Sequence, residues 1–349
     1  MAARRKTRHS QGELFLAGPA WPPAAPALPS GVPDLAFYDL IVANISGGKD
    51  SQTMLRVLVA AAIVAGIPIS RIVCVFADLG EADEWPGTAE IAAEHAARYG
   101  LRFITVRRQA PGESRPQGLL EHIWEHGQWP DGRNRFCTSD SKRGPVRALI
   151  TRLVRELRAA GLTGRPARVL NVMGMRAQES PRRRLMVPFE FDEASSSKSR
   201  SARRARRHVW TWLPVHSWTT EQVWADIRAS GVPYHWVYDT GMPRLSCRFC
   251  VLASKSALIL AAQLDPAGAQ ARMAVEREFR RRMIITALAV AAYARACGWP
   301  QPVPRPLAAR TLRRAWRSGW KFQKARSMHE IYYLAQSRPR PPVVRDWAA

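Results

Sequence analysis

The sequence has no long apolar run. Among its 349 residues, no stretch offers the roughly 20 consecutive apolar residues that a membrane-spanning helix needs. The basic segment at the start, residues 1–10, is followed by prolines and not by the apolar core of a secretory signal. These absences exclude a helical transmembrane protein, and we expect a cytoplasmic one.

Cysteine is also scarce. The chain has five cysteines, an odd number spread too thinly for a disulfide scaffold. An intracellular protein uses such cysteines for metal binding or catalysis more often than for crosslinks. We therefore treat them as candidate site residues.

Acidic residues are few, with 28 Asp and Glu against 53 Lys and Arg, for a net charge of +25. The preference for Arg over Lys is typical of a GC-rich genome, but that drift does not explain an excess of base over acid. Lys and Arg that neutralise phosphates release counterions and give affinity for polyanions without sequence preference. The charge balance favours a nucleic-acid partner.

The composition changes along the chain. Residues 1–35 are basic and Pro-rich without a hydrophobic period, which predicts a disordered arm. Residues 36–260 are predicted to form one domain. Within it, the basic stretch 195–207 lacks a period and is predicted to be a flexible insertion. Residues 261–349 are predicted to be a helical C-terminal region with a Pro/Arg-rich tail.

Strand and helix patterns alternate through the domain, which predicts a parallel sheet with helices on both faces. Continuous apolar runs of strand length alternate with longer helical segments, the first two of which are stopped by Gly66 and Gly100. The predicted strands are 40–45, 71–77, 101–106 and 169–173, and the predicted helices are 51–65, 88–99, 145–160, 220–230 and 265–297. The fold class is therefore α/β, with a helical C-terminal extension.

A glycine-rich loop, residues 46–51, joins the first predicted strand to the first predicted helix. Its N–H groups would point toward the mouth of the sheet, with the positive end of the helix dipole behind them. Ser46 and Ser51 add hydroxyl donors, and Lys49 adds a mobile cation. The spacing of a Walker A loop is absent. The loop suits the di- or triphosphate of a nucleotide.

The hexapeptide Ser46-Gly47-Gly48-Lys49-Asp50-Ser51 resembles the PP-loop signature of the ATP pyrophosphatase superfamily, whose members split ATP between the α- and β-phosphates. Four further stretches resemble the phosphoadenosine phosphosulfate (PAPS) reductase-like family within that superfamily. They are Ala77-Asp78-Leu79-Gly80, Arg135-Phe136-Cys137-Thr138 with Lys142 and Pro145, the run 174–183 around Arg176 and Glu179, and the run from Trp218 to Cys250. The resemblance implies a Rossmann-like adenine nucleotide alpha hydrolase fold.

The resemblance also implies roles for individual residues and a Mg²⁺-ATP cofactor. Lys49, Asp50, Lys142 and Arg176 are the implied catalytic residues. The implied nucleotide-binding residues are Ser46, Gly47, Gly48, Lys49, Asp50, Ser51, Asp78, Arg176, Glu179 and Arg183. Asp78 stands where the family has an acidic residue near the nucleotide and its metal. Arg176 and Arg183 follow a parallel strand, at the end where such sheets bind ligands, and Arg can hold phosphate with paired donors.

Cys247 and Cys250 have a spacing used by zinc and by iron–sulfur sites, and Cys137 can supply a third thiolate. Three thiolates would leave one iron of a [4Fe–4S] cluster open to bind sulfide. The alternatives are a zinc site completed by Cys297 and a redox dithiol made by Cys247 and Cys250 alone. We prefer the cluster, then zinc, then the dithiol. Cys74, inside an apolar strand, is predicted to be a core residue.

One further motif, His122-x-x-Glu125-His126, spells an inverted zinc-protease pattern. The segment is short and ends at Gly127. It leads directly into the Arg135–Cys137 element, so we interpret it as a partly exposed helix on the substrate side.

The family includes PAPS reductases, ATP sulfurylase subunits and ATP-dependent sulfurtransferases, among them DNA phosphorothioation enzymes. A true reductase has lost the Gly-Lys-Asp of the loop and carries a C-terminal thiol motif, and a sulfurylase subunit lacks the C-x-x-C pair. This chain keeps Gly48-Lys49-Asp50, has the pair and has no Cys after Cys297. We therefore expect an enzyme closest in pattern to the phosphorothioation type. It would adenylate a substrate oxygen and support sulfur transfer to a nucleic acid, DNA or tRNA.

Such a reaction implies a sulfur-donor protein such as a cysteine desulfurase and no membrane partner. Two other functions stay open. One is a true PAPS or APS reductase that forms sulfite. The other is a nucleic-acid-binding protein with a degenerate nucleotide site.

Overall fold

The structure is a computed structural model that describes residues 26, 28–110, 112–197, 206–296, 320–323 and 326–342. Its centre is a six-stranded sheet in the order β3-β2-β1-β4-β6-β5. All neighbouring strands are parallel except β5, which pairs antiparallel with β6. The strands are β1 Leu40–Asn44, β2 Ile72–Ala77, β3 Arg102–Val106, β4 Ala167–Met173, β5 Phe189–Phe191 and β6 Arg207–Trp212. The predicted α/β class with a Rossmann-like parallel sheet is confirmed.

Helices cover both faces of this sheet. They are α1 Lys49–Val64, α2 Thr88–Ala97, α3 Leu119–His126, α4 Gly144–Ala159, α5 Thr220–Ser230, α6 Lys255–Leu264, α7 Pro266–Ala296 and α8 Met328–Ser337. Because side chains alternate along a strand, β1 sends Ile41 and Ala43 into the core under α1 and α2. Its Leu40 and Val42 enter the core under α4. The two cores hold the carboxyl ends of the strands at one common edge.

Two strands were missing from the sequence prediction. β5 has three residues, too short to give a pattern of its own. β6 begins inside the predicted basic insertion, so the charge of Arg206 and Arg207 concealed its start. The run His208 to Trp212 does carry the signal, since β-branched and aromatic residues with alternating burial are typical of a strand.

Both ends of the basic segment 195–207 are held by hydrogen bonds. Ser195 is 7 % exposed, and its hydroxyl accepts a hydrogen bond from Arg147 Nε (3.0 Å). Arg207 is buried in β6, where its Nε donates to the Ser195 carbonyl (3.0 Å). Residues 198–205 lie outside the described residues, and their flexibility stays a prediction. The predicted arm also lies mostly outside, but Leu35 is buried in a short 3₁₀ turn, Leu35–Phe37.

The C-terminal helices form a further core with the loops that follow β2 and β3. Phe279 of α7 and Met328 of α8 pack in one cluster with Trp85, Trp129 and Phe249. In the described part of the chain, no helix combines the length and apolar character needed to cross a bilayer. The helical C-terminal extension predicted from sequence is confirmed and contacts the edge of the sheet where the site residues lie.

Candidate functional site

The loop 46–51 leaves β1 and becomes the start of α1, as the sequence predicts. Gly47 has a φ of +71°, and a methyl group on it would lie 2.9 Å from the Thr88 carbonyl oxygen. Gly48 is the N-cap of α1, and a methyl group there would lie 3.3 Å from the Tyr238 hydroxyl. Both glycines are therefore required by the close approach of neighbouring segments.

Hydrogen bonds inside the loop fix its shape. The Ser51 hydroxyl donates to the Gly48 carbonyl (2.8 Å) and accepts from the Ser46 N–H (3.1 Å). Among the described residues, the N–H groups of Gly47, Gly48 and Asp50 have no hydrogen-bond partner. The start of α1 thus offers main-chain donors to an anion. The Ser51 hydroxyl, which the sequence suggested as a phosphate donor, is instead used to shape the loop.

Three charged side chains, Lys49, Asp50 and Arg176, meet at the start of α1. Lys49 is 3 % exposed, so it is not the mobile cation expected from sequence, and its Nζ lies 3.3 Å from Asp50 Oδ2. Arg176 is 2 % exposed and its Nε lies 2.6 Å from Asp50 Oδ1. Two cations share one carboxylate, which leaves this buried corner with a net positive charge. That charge complements a phosphate.

Arg176 is held by further contacts from two segments, 178–179 and 218–220. Its guanidinium donates to Gln178 Oε1 (3.0 Å), to the Trp218 carbonyl (3.2 Å) and to Thr220 Oγ1 (3.3 Å). The Arg176 N–H donates to Glu179 Oε2 (3.0 Å), and Glu179 also pairs with Arg183. Arg176 therefore faces the loop, whereas Glu179 and Arg183 form a pair of their own beside it.

Tyr238 joins the nucleotide loop to the cysteine segment, a role that the sequence did not reveal. Its hydroxyl accepts hydrogen bonds from the N–H of Lys49 (3.0 Å) and the N–H of Leu245 (3.2 Å). Burial, with the charge of Asp50, raises the pKa of Tyr238, so the hydroxyl stays protonated. The available signal was its place in the run from Trp218 to Cys250, which resembles the PAPS reductase-like family.

Asp78 follows β2, but its carboxylate is already engaged. Oδ1 accepts from the Gly80 N–H (2.7 Å), and Oδ2 pairs with Arg107. Asp50 is likewise held by Lys49 and Arg176. Since neither carboxylate is free, these residues do not fit a dedicated Mg²⁺ site in the protein.

The three predicted cysteine ligands converge at the same edge of the sheet. Cys247 donates a hydrogen bond to Cys250 and lowers the pKa of the Cys250 thiol to about 6, with help from Arg244 and Lys142. Burial and this hydrogen bond raise the pKa of Cys247. Cys137 lies close enough to Cys250 for the charge of Cys250 to contribute to its raised pKa. Of the Cys247 and Cys250 thiols, Cys250 therefore loses its proton first as the pH rises.

Lys142 belongs with the cysteines. It lies in a π-helical turn, Ser139–Arg143, five residues after Cys137. Burial raises the pKa of Cys137 and raises that of Glu84 to about 7, and the Lys142 charge opposes both rises. The Lys142 ammonium therefore stabilises the anionic form of the cysteine thiols.

The donor chemistry fits a thiolate-bound metal, since Cys137 and Cys247 lie in one apolar cluster and the charges of Cys250 and Lys142 act on both thiols. Within the described part of the chain, however, no set of three or more His, Cys, Asp and Glu side chains is arranged to hold a metal ion. Cys247 and Cys250 are hydrogen-bonded to each other and could bind a metal together. Cys137 as a third ligand stays a prediction. Cys297, the alternative fourth ligand, lies outside the described residues. Cys74 is buried in β2, as predicted.

Two ion pairs fix the loop that carries Cys247 and Cys250, one partly exposed and one almost fully buried. The Arg248 N–H donates to the Asp83 carbonyl (2.6 Å), and its NH1 lies 2.6 Å from Asp265 Oδ2. The Asp83 carboxylate pairs with Arg272 of α7 at 2.8 Å, and both side chains are almost fully buried. The Arg272 guanidinium also lies 4.4 Å from the Phe249 ring centre. The C-terminal region thereby holds the cysteine loop against the loop after β2.

A cavity of about 540 Å³ opens beside the loop after β2. It is lined by Leu79, Gly80, Arg107, Glu121 and Trp124, among others. The cavity provides room for a substrate group near Asp78 and the segment that leads to Cys137.

His122 and His126 have a packing role, and the helix that carries them is partly exposed, as the sequence predicts. The His126 ring stacks on Phe136 at 4.0 Å, and His122 Nε2 lies 3.8 Å from Asp140 Oδ2. Phe136 directly precedes Cys137, so the two rings hold the start of the cysteine segment.

Comparisons with known proteins were made on sequence and on structure. The chain is 29% identical over 136 residues to an uncharacterised 37.8 kDa protein of Escherichia phage 186, covering 39% of this chain and 35% of that protein. It is 25% identical over 211 residues to an uncharacterised protein of Methanocaldococcus jannaschii, covering 60% and 36%. The chain thus spans about a third of the length of these two relatives.

Two solved structures are similar at low identity. A phosphoadenylyl-sulfate reductase of Candida auris has 18% identity and a TM-score of 0.38, covering 61% of this chain and 83% of that chain. A U34-tRNA thiolase of Methanococcus maripaludis, solved with its [4Fe-4S] cluster, has 15% identity and a TM-score of 0.33, covering 58% and 61%.

The family model of the phosphoadenosine phosphosulfate reductase domain matches residues 40–253. This range begins with β1 and ends just after Cys250, so it contains every predicted site residue from Ser46 to Cys250, whereas Asp265 and Arg272 lie beyond it. The chain belongs to the phosphoadenosine phosphosulfate reductase domain family.

Proposed function

We propose that the protein is an ATP-dependent sulfurtransferase that adenylates an oxygen of a nucleic acid and supports its replacement by sulfur. One observation supports this most: the start of α1 presents main-chain donors beside Lys49 and Arg176, while the cysteines and Lys142 lie at the same edge of the sheet. Tyr238 bonds directly to both segments.

In the first step, the substrate oxygen attacks the α-phosphate of ATP, and the bond to the β-phosphate breaks. The N–H groups of Gly47, Gly48 and Asp50 receive the pyrophosphate, and Lys49 and Arg176 balance the charge that develops on it. Asp50 keeps both cations in place through its two oxygens. The protein contributes position and charge, because the leaving group needs no proton from it.

In the second step, sulfur from a donor displaces AMP from the substrate. Cys250, whose thiol ionises readily because of its hydrogen bond from Cys247 and the charges of Arg244 and Lys142, is suited to bind iron as a thiolate. A [4Fe–4S] cluster on Cys137, Cys247 and Cys250 would supply an iron that carries sulfide. A sulfur-donor protein such as a cysteine desulfurase would deliver persulfide sulfur, and a thiol reductant would supply the two electrons that convert it to sulfide and reload the site.

The experiment is pyrophosphate exchange into ATP, measured with single-stranded DNA and with total tRNA as acceptors. We expect Lys49→Ala to lower exchange by about 10²–10³-fold, as for loss of one transition-state donor. The thermal midpoint should stay near that of the parent, because Asp50 keeps its pair with Arg176. The matched control is Lys255→Ala, whose ammonium pairs with Glu330 at the surface.

Exchange by Lys49→Ala at the parent rate would contradict the proposal. A reductase would instead release sulfite from PAPS with thioredoxin and form no pyrophosphate from ATP. A protein with a degenerate nucleotide site would give neither product.

A further inference from the structure

The edge of the sheet formed by β5 and β6 carries aromatic side chains that the proposed reaction does not use. We call this set the aromatic face: Phe37, Phe189, Phe191, His208 and Trp210. Strand pairing places Phe189 opposite Trp212 and Phe191 opposite Trp210, so the strand residues point to the same side of the sheet.

The aromatic face becomes more exposed toward the edge strand. Trp212 is buried in the core and Trp210 is half-buried against it. Phe37 is 37 % exposed, Phe189 39 % and Phe191 46 %. The rings are also preordered, since Trp210 contacts Phe37 and Phe191 edge to face, both at 5.3 Å. Exposed rings that hold one another in place suit a planar ligand.

Positive charge surrounds the aromatic face. The Arg168 guanidinium, on the β4 residue paired with His208, lies 4.1 Å from the Phe37 ring centre. Arg71 donates to the main chain on both sides of Phe37, at the Ala36 and Tyr38 carbonyls. Asp39 accepts two hydrogen bonds from Arg165, at 2.6 and 2.7 Å, so its charge is neutralised. The charge complements a phosphate backbone.

The face lies away from the reacting groups. His208 and Arg168 are the second residues of β6 and β4, whereas the nucleotide loop follows the last residue of β1. A strand of six residues is about 20 Å long at about 3.3 Å per residue. Phe189, opposite Trp212 at the other end of β6, is nearer to the edge that carries the nucleotide loop, but β5 is the third strand from β1 in the sheet. A ligand stacked on Phe37 and Phe191 therefore lies away from the reacting groups.

We propose that the aromatic face binds unpaired nucleotides of a single-stranded nucleic acid and anchors the substrate away from the reaction. This inference rests on the proposed function for the identity of the substrate. Exposed aromatic rings stack on bases without sequence preference, while cations follow the backbone. In a duplex the bases are already stacked and cannot reach the rings, so the face selects single strands or loops.

The test is binding of a labelled single-stranded oligonucleotide of about 12 nucleotides, within the range of known single-strand sites. DNA and RNA forms are measured without ATP and beside a duplex of the same sequence. Phe191→Ala should weaken single-strand binding by about 5- to 150-fold, the loss expected for one stacked base. Phe191→Trp should retain the affinity, and Tyr333→Ala, which removes an exposed ring of α8, should have no effect.

Salt separates stacking from charge. Arg168→Gln should reduce the slope of log affinity against log salt by about 0.7, the value for one phosphate on a single strand. Phe191→Ala should lower affinity at every salt concentration and leave the slope unchanged. Phe37→Ala, from another segment of the same face, guards against a folding defect in one variant.

Equal single-strand affinity of the parent, Phe191→Ala and Phe37→Ala would overturn the inference. An equal loss of duplex binding in these variants would also overturn it. So would variants that lose self-association but keep their affinity for nucleic acid. Because the assay needs no ATP, it reports on the aromatic face independently of ATP cleavage. Failure of the exchange assay with intact binding would reject only the proposed function.

Discussion

The nucleotide side and the cysteine side of the site lie at one edge of the sheet but are built differently. On the nucleotide side, six consecutive residues, 46–51, connect β1 to α1 and shape themselves through short local hydrogen bonds. On the cysteine side, Cys137, the Cys247–Cys250 pair and Arg272 come from segments far apart in the chain. The first is centred on one turn, to which Arg176 adds a second cation, and the second depends on the packing of the C-terminal helices.

A mutation should therefore be able to disrupt one side of the site without disrupting the other. The two sides share Tyr238, but their ion pairs are distinct: Asp50 with Lys49 and Arg176 on one side, Asp83 with Arg272 on the other. A change confined to one side should leave the other nearly intact. Each prediction below tests that separation.

The largest effect is expected for the cysteines. If Cys137, Cys247 and Cys250 hold a cluster, anaerobically purified protein should be brown, and Ser at any of the three should remove the iron. Pyrophosphate exchange should persist, because these thiols do not contact the nucleotide loop. Iron and sulfide analysis measures the first outcome, and Cys74→Ser is the buried control that should retain the iron.

Other metal contents would reject the cluster. Colourless protein with one equivalent of zinc, lost on changing Cys297 to Ser, would indicate a closed four-thiolate site. Protein without any metal would leave the Cys247–Cys250 dithiol. In both cases the sulfur-transfer step would lose its proposed carrier.

The next effect concerns Arg272, which supports the cysteine side. Arg272→Met leaves the Asp83 carboxylate buried without its partner, which costs about 3–5 kcal/mol when one member of such a pair is removed. We expect a lower midpoint of urea unfolding and loss of metal. Adding Asp83→Asn should restore part of the stability, because it removes the unpaired charge.

Arg281→Met is the matched control, since Arg281 lies at the surface of the same helix and pairs with Glu278. Its unfolding free energy should stay within about 0.5 kcal/mol of the parent. If Arg272→Met is as stable as this control, the buried pair does not support the cysteine loop.

The same contrast explains what the sequence could predict. The nucleotide loop was predictable because its donors, glycines and lysine are neighbours in the chain. The motifs also named the cysteines, but not Arg272, which lies 189 residues from Asp83 and looks like one more arginine in a basic chain. Tyr238 belonged to a known motif without a stated role. β6 was missed because its first residues continue a run of positive charge.

The smallest effect is expected at Gly174, which tests the nucleotide side through its packing. Gly174 follows β4, and a methyl group there would lie 2.7 Å from the Asp50 carbonyl carbon and 2.9 Å from the Ser51 Cα. These are main-chain atoms and cannot turn aside as a side chain would. Gly174→Ala should therefore shift the start of α1 and destabilise the protein by about 1–3 kcal/mol, the usual cost of overpacking.

Pyrophosphate exchange should fall in Gly174→Ala while the metal content stays at the parent level, the reverse of the pattern expected for Arg272→Met. Gly132→Ala is the control, because a methyl group at Gly132 has no described atom within 4 Å. Loss of metal in Gly174→Ala together with exchange would mean that the two sides act as one unit. Tyr238, which bonds to both segments, would then be the contact that couples them.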